Sequence, residues 1–517
     1  MRSWNSLYEI MMFPIGLMYF ALTLLGIGNI LTNEAFSVFF TVSNELVIIL
    51  AEVCTRTGTF LLVNFPLFFL IRGVTRKSGS ATGIISAISG YVAYLIMTMC
   101  FASSSLPSTA FSSILGLSIT STHARSLSSG VHYPLQTGVI GAAIVALITL
   151  YNYSRTKKRS DYSLLSFMSK DMHCVVSTVI MCSLAGFAMA YAWPYAIRAI
   201  QTANTFVASD TTNPVNLMIY GMMDRFSAIL NLGALVRTPF WYGPSGGTWL
   251  NMVGVSVAGD VNIWTAQTNL ASLGGMTGRF ITPYYVLNIF AVPGLLWGMY
   301  TVKTDYFERR RTRPFFILTA IVSIFSGTLL PLEITLALSA PALYFFHLLY
   351  TGILFAVFQA MGVYLGCSYA GTAVITALPG SLLEYLSYLR FSGLQRTMLT
   401  VAAVGGLSFF IYLLASRIYY RHLALDLFQT GRKDELISMT IDAVGGIDNI
   451  KLLHSSTDRL VISLYDPTKL DVNKIRSFAP VRVYDTKAGY AITFGAASTM
   501  IRMGISQRMR DSIRSTL

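Results

Sequence analysis

The sequence predicts an α-helical polytopic membrane protein that ends in a small α+β domain. The chain of 517 residues is 54% hydrophobic and only 12% charged, which is roughly half the charged fraction of soluble domains. Many of its apolar runs approach or exceed the roughly 20 residues that a helix needs to cross the hydrocarbon core of a bilayer. After about residue 415 the composition turns polar, and apolar residues come in short groups.

Apolar runs along the first four fifths of the chain predict the membrane-spanning helices. A more broken stretch, 214–264, has room for one further span and a re-entrant segment, so the predicted number is about ten. A transmembrane β-barrel is the weaker alternative, because it would show alternating segments of about ten residues. The predicted spans are Phe13–Leu31, Leu46–Ile71, Ala81–Phe101, Thr137–Tyr153, His173–Trp193, Tyr284–Tyr300, Phe315–Leu338, Ala340–Leu365 and Met398–Ala415.

The net charge of +14 comes largely from basic clusters that follow apolar runs, such as those at 72–77, 155–159, 303–313 and 417–433. This is the positive-inside pattern, so these loops are predicted to be cytoplasmic and nucleic acid is not expected as a partner. The five cysteines lie in or beside apolar runs without CxxC spacing. Neither a disulfide framework nor a metal site or cofactor is therefore predicted.

The polar tail has the pattern of a small folded domain. A linker is predicted over 426–435, and the helical pattern of Leu436–Gly446 stops at a glycine pair. The segments "IKLLHS" and "RLVISLYDP" are typical of strands. A short helix is predicted over Asp471–Phe478, with a hairpin over Val481–Gly495 and a final helix after it. Because a basic segment precedes this domain, it is predicted to lie in the cytoplasm.

Several segments, in order along the chain, resemble those of one protein family. They are "FPLFFLIRGVTRKSGSA", "YPLQTGVIGAAIVALI", "YGMMDRF" followed by "RTPFWY", "GRFITPYYVLNIFAVPGLLWGMY", "GTLLPLEITLALSAPALY" and "AVGGIDNIKLLHSSTDRLVISLYDP". Together they resemble the glucose-type enzyme IIC joined to a IIB domain, the membrane component of bacterial phosphoenolpyruvate-dependent sugar phosphotransferase systems. The resemblance runs from about Met12 to Gly504.

This resemblance implies a division of the chain and a place in the cell. Residues 1–425 would form the enzyme IIC-like membrane domain, with about 1–205 as the dimer scaffold and about 206–425 as the sugar-carrying half. Residues 436–517 would form the IIB-like domain. The family implies a homodimer in the bacterial cytoplasmic membrane that binds sugar. Phosphate would pass through a IIB cysteine to the bound sugar.

The chain departs from the family pattern at the sugar site. Where the signature GITEP has a carboxylate, which accepts charge-assisted hydrogen bonds and assists deprotonation of a hydroxyl, this chain has Leu330. The second acid, Glu333, remains, either as a sugar contact or as a structural partner. The histidine pair of the family falls on Gly233 and Ala234. The positions that would carry the sugar chemistry are therefore substituted.

Other residues remain as candidates for contact with a sugar. Arg225 belongs to the YGxxxR block, and Thr328 lies within the GITEP frame. Arg237 is unusual beside Thr238-Pro239. It is predicted either to extend toward the membrane interface or to hold an acidic or phosphorylated ligand. With Glu333, these residues make up the predicted sugar-binding set.

The tail departs from the pattern at the phosphate carrier. Arg459-Leu460 sets the register, which places Ser456 at the position of the phosphocysteine. A serine hydroxyl is a poor nucleophile without a base, although His454 would point to the same side of a strand. Asp458 adds negative charge beside the carrier position. Arg459 is retained, whereas the second arginine of the pattern is replaced by Val461.

Three functions follow from this combination. The leading one is a sugar-permease homologue that has lost phosphotransfer and binds, passes or senses a sugar or related solute. The runner-up is a working phosphotransferase permease that takes phosphate from a separate IIB protein. The third is a regulatory or assembly protein without transport, whose tail contacts a cytoplasmic phosphotransferase-system or regulatory protein.

Overall fold

The structure is a computed structural model with two compact units, Met1–Arg421 and His422–Leu517. It describes most of the chain. The described residues are 2–33, 36, 39, 42–103, 105–120, 131–157, 170–250, 254–269, 277–302, 306–369, 378–422, 430–455, 459–478, 482–486, 489–494 and 498–516.

Among its described residues, the first unit has helices and one small β-ribbon as its regular secondary structure. Its ribbon pairs β1 (Thr248–Leu250) with β2 (Ser256–Ala258) in antiparallel fashion. A π-helical turn, Leu287–Ala291, joins two of the helices into one continuous stretch. The helices are α1 (Arg2–Thr32), α2 (Glu45–Val63), α3 (Phe65–Ser78), α4 (Ala81–Phe101), α5 (Gly138–Lys157), α6 (Lys170–Ser209), α7 (Pro214–Ile229), α8 (Gly233–Trp241), α9 (Asp260–Asn269), α10 (Thr282–Val286), α11 (Val292–Val302), α12 (Tyr306–Ser326), α13 (Leu330–Ser339), α14 (Pro341–Met361), α15 (Leu382–Ser387) and α16 (Gln395–His422).

Eight of the described helical stretches are long and apolar enough to cross a membrane, and two apolar helices are shorter, 313–326 and 330–339. The predicted class of a helical chain with many membrane-length segments is therefore confirmed. The predicted number of about ten spans stays a prediction. The eight stretches are Ile10–Thr32, Glu45–Val63, Ala81–Phe101, Gly138–Thr156, Asp171–Ser209, Thr282–Val302, Pro341–Met361 and Ser392–Tyr420.

The predicted span Leu46–Ile71 is two helices, because the chain breaks at Asn64. Asn64 ends α2, and the proline that follows Phe65 suits the first turn of a new helix but not the interior of a continuing one. The Asn64 side chain is buried, donates to the Phe60 carbonyl at 2.9 Å, and accepts from the Leu115 N–H at 2.8 Å. It therefore holds a loop whose Leu115 has a left-handed φ of 56°.

Replacing Asn64 with alanine is expected to lower the free energy of unfolding by about 1–3 kcal/mol, because the buried Leu115 N–H loses its acceptor. The measurement is the apparent melting temperature of the full-length protein in detergent, followed by tryptophan fluorescence. Asn29→Ala is the matched control, since Asn29 is half-buried in α1 and its side chain makes no hydrogen bond among the described residues. Equal melting temperatures for the two variants would contradict the assigned role of Asn64.

The predicted span Phe315–Leu338 is also two helices, α12 and α13, separated at Gly327. Gly327 has a φ of 63°, a left-handed conformation that favours glycine. A Cβ at this position would lie 2.7 Å from the Leu378 carbonyl oxygen. The break therefore depends on a glycine that packs closely against Leu378, which is about 50 residues away in sequence.

The stretch 214–264, predicted as one span with a re-entrant segment, contains the short helices α7 and α8, the ribbon, and the start of α9. Conversely, α6 continues to Ser209, well beyond the predicted end at Trp193, despite Pro194 within it. The short helices α7 and α8 lie within 214–241. Side chains from both helices meet at the candidate functional site.

The second unit contains a four-stranded antiparallel sheet in the order β3-β4-β6-β5. Its buried core is mostly isoleucine, for example Ile441, Ile462 and Ile492. Asp471 accepts from the Lys474 N–H at 2.9 Å, as the predicted helix start requires. Its elements are α17 (Thr430–Ala443), β3 (Ile450–Ser455), β4 (Leu460–Leu464), α18 (Val472–Phe478), β5 (Val483–Thr486), β6 (Gly489–Ile492) and α19 (Ser498–Thr516).

The start of this unit differs from the sequence prediction. Helix α17 begins at Thr430, within the segment 426–435 for which a linker was predicted, and residues 423–429 lie outside the described part. The helix ends before Gly445 and Gly446, whose φ values are 86° and 99°. The predicted glycine stop is therefore present, because only glycine adopts such angles without strain.

Candidate functional site

A cavity of about 90 Å³ in the first unit is lined by residues from α1, α2, α7, α8, α10, α13 and nearby loops. One enclosed water molecule needs roughly 10–15 Å³ of cavity volume, so this cavity has room for several water molecules. Its polar wall consists of Gln136, Arg225, Asn231, Arg237 and Thr328. Trp241 and Tyr284 contribute aromatic surface, and the remaining lining is apolar or small.

Most of the sequence-predicted site residues meet at this cavity. Arg225, Arg237 and Thr328 line it, and so do the substituted positions, Leu330, Gly233 and Ala234. Glu333 does not line it. Its side chain is 1% exposed and contacts Arg225 and His347 instead, so in this structure it is a partner of other side chains.

Asp224 is the centre of a buried ionic cluster behind the cavity wall. Its Oδ2 accepts from the Arg225 Nε at 2.9 Å and from the Arg225 Nη2 at 2.6 Å. The hydroxyl of Tyr284 also donates to this oxygen, and the Arg237 Nε donates to Oδ1. Asp224 is fully buried, so its charge requires partners. One carboxylate thereby holds two guanidinium groups and a phenol.

Aromatic rings surround the same cations. The Arg225 Cζ lies 4.8 Å from the centroid of the Tyr284 ring, and the Arg237 Cζ lies 5.4 Å from that of Trp241. Such contacts favour a cation electrostatically, most strongly where water is excluded. Trp241 is itself fixed, because its Nε1–H donates to the Tyr220 hydroxyl at 3.0 Å. The two arginines are therefore held by rings as well as by Asp224.

A second chain of polar contacts leads away from Arg225. Its Nη1 lies 3.5 Å from the Glu333 Oε1, which lies 3.0 Å from the His347 Nε2. The other ring nitrogen, Nδ1, lies 2.7 Å from the Tyr412 hydroxyl. These contacts connect α7, α13, α14 and α16. The Glu333 Oε2 is buried without a hydrogen-bond partner among the described residues.

The arginines differ in how many hydrogen-bond donors remain. Arg225 uses its guanidinium on Asp224, Glu333 and Tyr284, and its backbone carbonyl accepts from the Tyr344 hydroxyl at 3.1 Å. Arg237 uses only Nε, and its terminal Nη groups make no hydrogen bond within the described part of the chain. The Arg237 side chain is 17% exposed. Arg237 is therefore a cation with donors available at the cavity.

Gly233 keeps the space beside Arg237 open. A Cβ on Gly233 would lie 3.6 Å from the Arg237 Cζ, and its other nearest neighbours would be atoms of Ala228 at 3.5 and 3.7 Å. These are ordinary contact distances, so a methyl group fits. A longer side chain at this position would have the guanidinium as its neighbour.

Sequence reasoning missed Asp224, Tyr284, His347 and Tyr412. Asp224 and His347 carried a usable signal, because an ionisable residue inside an apolar segment is costly and needs a partner. The two tyrosines carried none, since tyrosine is common in apolar segments of this chain. Among the described residues, no group of three or more His, Cys, Asp or Glu side chains is placed to hold a metal ion.

The predicted phosphate-carrier position is not part of the cavity in the first unit, because it belongs to the second unit. Ser456 and Asp458 lie outside the described residues, between β3 and β4. Arg459 immediately precedes β4 and is exposed. Across the neighbouring strands, His454 pairs in register with Val461. No model of a known protein family matches the chain.

Proposed function

We propose that this chain is a glucose-type enzyme IIC-like membrane protein that has lost phosphotransfer and binds a sugar or related small solute in the cavity at Arg237. It would act as a homodimer in the bacterial cytoplasmic membrane, as a facilitator or a sensor, with its IIB-like tail in the cytoplasm. The observation that carries the proposal is the cavity itself. Polar donors and two aromatic residues line a space with room for several water molecules, which a bound solute would replace.

The lining suits a hydroxyl-bearing ring better than a purely apolar molecule. Arg237 offers N–H donors, while Gln136, Asn231 and Thr328 carry groups that both donate and accept. Tyr284 and Trp241 add aromatic surface to the lining. Small-molecule sites commonly combine such apolar surface with a few polar groups that fix orientation.

The loss of phosphotransfer is inferred from the residues at the chemical positions. Leu330 lines the cavity where the resemblance implies a carboxylate, and leucine neither accepts a proton nor orients a hydroxyl. Glu333 is engaged by Arg225 and His347. In the tail, a serine occupies the carrier position, and serine is a weak nucleophile without a neighbouring base.

Filling the cavity is expected to abolish solute binding. Ala234→Trp would place an indole in the lining, and we expect the affinity for any bound hexose or hexose acid to fall by at least tenfold, about 1.4 kcal/mol. The measurement is isothermal titration calorimetry on full-length protein in nanodiscs, with glucose, N-acetylglucosamine, gluconate and glucuronate. Ala199→Trp, on an exposed position of α6, is the matched control.

Two results would contradict the proposal. If no compound of a wide sugar panel binds, a regulatory or assembly protein without a solute becomes the better explanation. If reconstituted protein, supplied with phosphoenolpyruvate and the general phosphotransfer proteins, forms a sugar phosphate or phosphorylated Ser456, phosphotransfer has not been lost. Repeating that assay with the tail deleted distinguishes the chain's own carrier from a separate IIB donor.

A further inference from the structure

The charges around the cavity are arranged with the cations in its wall and the carboxylates behind them. Arg225 and Arg237 line the cavity, whereas Asp224 and Glu333 do not, and these two carboxylates are 0% and 1% exposed. Among the described residues, no aspartate or glutamate lines the cavity. A solute there would therefore meet guanidinium N–H groups and no carboxylate.

The guanidinium groups of this wall are better matched to a hydrogen-bond acceptor than to a hydroxyl donor. Guanidinium groups only donate, and a neutral sugar hydroxyl needs an acceptor for its own proton. A carboxylate only accepts when ionised and bonds in fork geometry to two N–H groups of an arginine. Leu330 lines the same wall and carries no charge that would repel such a ligand.

Arg237 is the residue that would make this contact. Its Nε is held by Asp224, which fixes the plane of the guanidinium, and Trp241 packs against it. Its terminal Nη groups have no partner among the described residues, and its side chain is partly exposed. The absence of a side chain at Gly233 leaves the neighbouring space free. A held guanidinium with unused donors loses little conformational freedom on binding.

The available charge favours a single negative charge on the ligand. Arg225 already directs its guanidinium at Asp224, Glu333 and Tyr284 and its side chain is 5% exposed, so among the described residues of the lining Arg237 is the more available cation. A carboxylate matches one guanidinium, whereas the second charge of a phosphate dianion would depend on Arg225, which is already paired with Asp224 and Glu333.

We propose that the cavity selects a monoanionic, carboxylate-bearing sugar or sugar-like solute, whose carboxylate is bound by the Nη groups of Arg237. This inference rests on the proposed solute-binding function and names its ligand class. Arg225 acts as a positioning residue through Asp224. Gly233 determines specificity by leaving room for the carboxylate.

The test compares glucuronate with glucose, which have the same ring and differ at C6 in a carboxylate or a hydroxymethyl group. With full-length protein in nanodiscs, we expect glucuronate to bind about 10- to 100-fold more tightly than glucose, the range for hydrogen bonds to a charged group. Arg237→Gln should bring the two affinities to within about threefold, by weakening glucuronate binding far more than glucose binding, and Arg237→Lys should keep part of the preference. Arg198→Gln, at an exposed arginine of α6, should change neither affinity.

A second pair of variants keeps the Asp224–Arg237 ion pair and so remains informative if Arg237→Gln does not fold. Gly233→Leu should lower glucuronate affinity by at least tenfold, because its side chain would cover the guanidinium, while Gly233→Ala should bind normally. Glucose binding equal to or tighter than glucuronate binding would overturn this inference and leave the proposed function standing. If neither glucose, glucuronate nor any other sugar binds, both this inference and the proposed function are contradicted.

Discussion

Asp224→Asn is expected to lower the free energy of unfolding by about 3–5 kcal/mol, because it leaves two buried guanidinium groups without their shared carboxylate. Asp224 accepts from Arg225, Arg237 and Tyr284 and has no exposed surface. An asparagine amide keeps one acceptor oxygen but loses the charge. The measurement is reversible unfolding of the full-length protein in mixed micelles, with the apparent melting temperature as a second readout.

Asp210→Asn is the matched control for this substitution. Asp210 is exposed in the turn before α7 and accepts from the Thr212 N–H at 2.9 Å, which an asparagine oxygen also does. A change below about 0.5 kcal/mol is expected there. A double-mutant cycle adds a sharper readout, since Arg237→Gln should cost less in the Asp224→Asn background than in the unsubstituted protein. Strictly additive effects would mean that Asp224 and Arg237 do not depend on one another.

Gly138→Ala is expected to destabilise the first unit by about 3 kcal/mol or more, through backbone overlap added to an unfavourable φ. Gly138 begins α5 with a φ of 56°. A Cβ on it would lie 2.2 Å from the Leu230 carbonyl oxygen, which also accepts from the Val139 N–H at 3.2 Å. Because Leu230 precedes the cavity residue Asn231, solute affinity should fall with stability.

Gly79→Ala separates the two contributions. Gly79 ends α3 with a φ of 61°, close to that of Gly138, but a Cβ there would meet no atom within 4 Å. Its cost should be only that of a left-handed alanine, about 1 kcal/mol. The difference in unfolding free energy between the two variants therefore measures the contact with Leu230. If both variants unfold alike, the close approach at Gly138 does not limit stability.

The sequence predicted the long helices better than their interruptions. Ala81–Phe101 is a helix with the predicted ends, because a serine cap and a uniform apolar run define it locally. The breaks at Asn64 and Gly327 depend on Leu115 and Leu378, which are distant in sequence. Hydropathy is averaged over a window, so one polar or small residue inside an apolar run does not change the predicted span. The average also contains no information about the distant residue whose contact makes the helix end there.

The same distinction applies to the candidate site. The resemblance drew attention to Arg225, Thr328 and Leu330, and these residues do line one cavity. It did not indicate how the charges are balanced, because that depends on pairs from different helices, such as Tyr284 with Asp224 and His347 with Glu333. Which side chains pair with one another in a buried cluster depends on how the helices pack. The spacing of residues within one segment does not reveal that packing.

The shared carboxylate also determines how the ligand preference of this cavity can change by mutation. Asp224 holds both arginines, so a substitution that alters the charge of this cluster also reduces folding stability. Ala234, Thr328 and Leu330 line the same space without taking part in an ion pair. We expect variants with new solute preferences, in a selection or in a library screened for binding, to concentrate at those three positions. Recovery of most such variants at Asp224 instead would show that the cluster tolerates change more readily than its burial suggests.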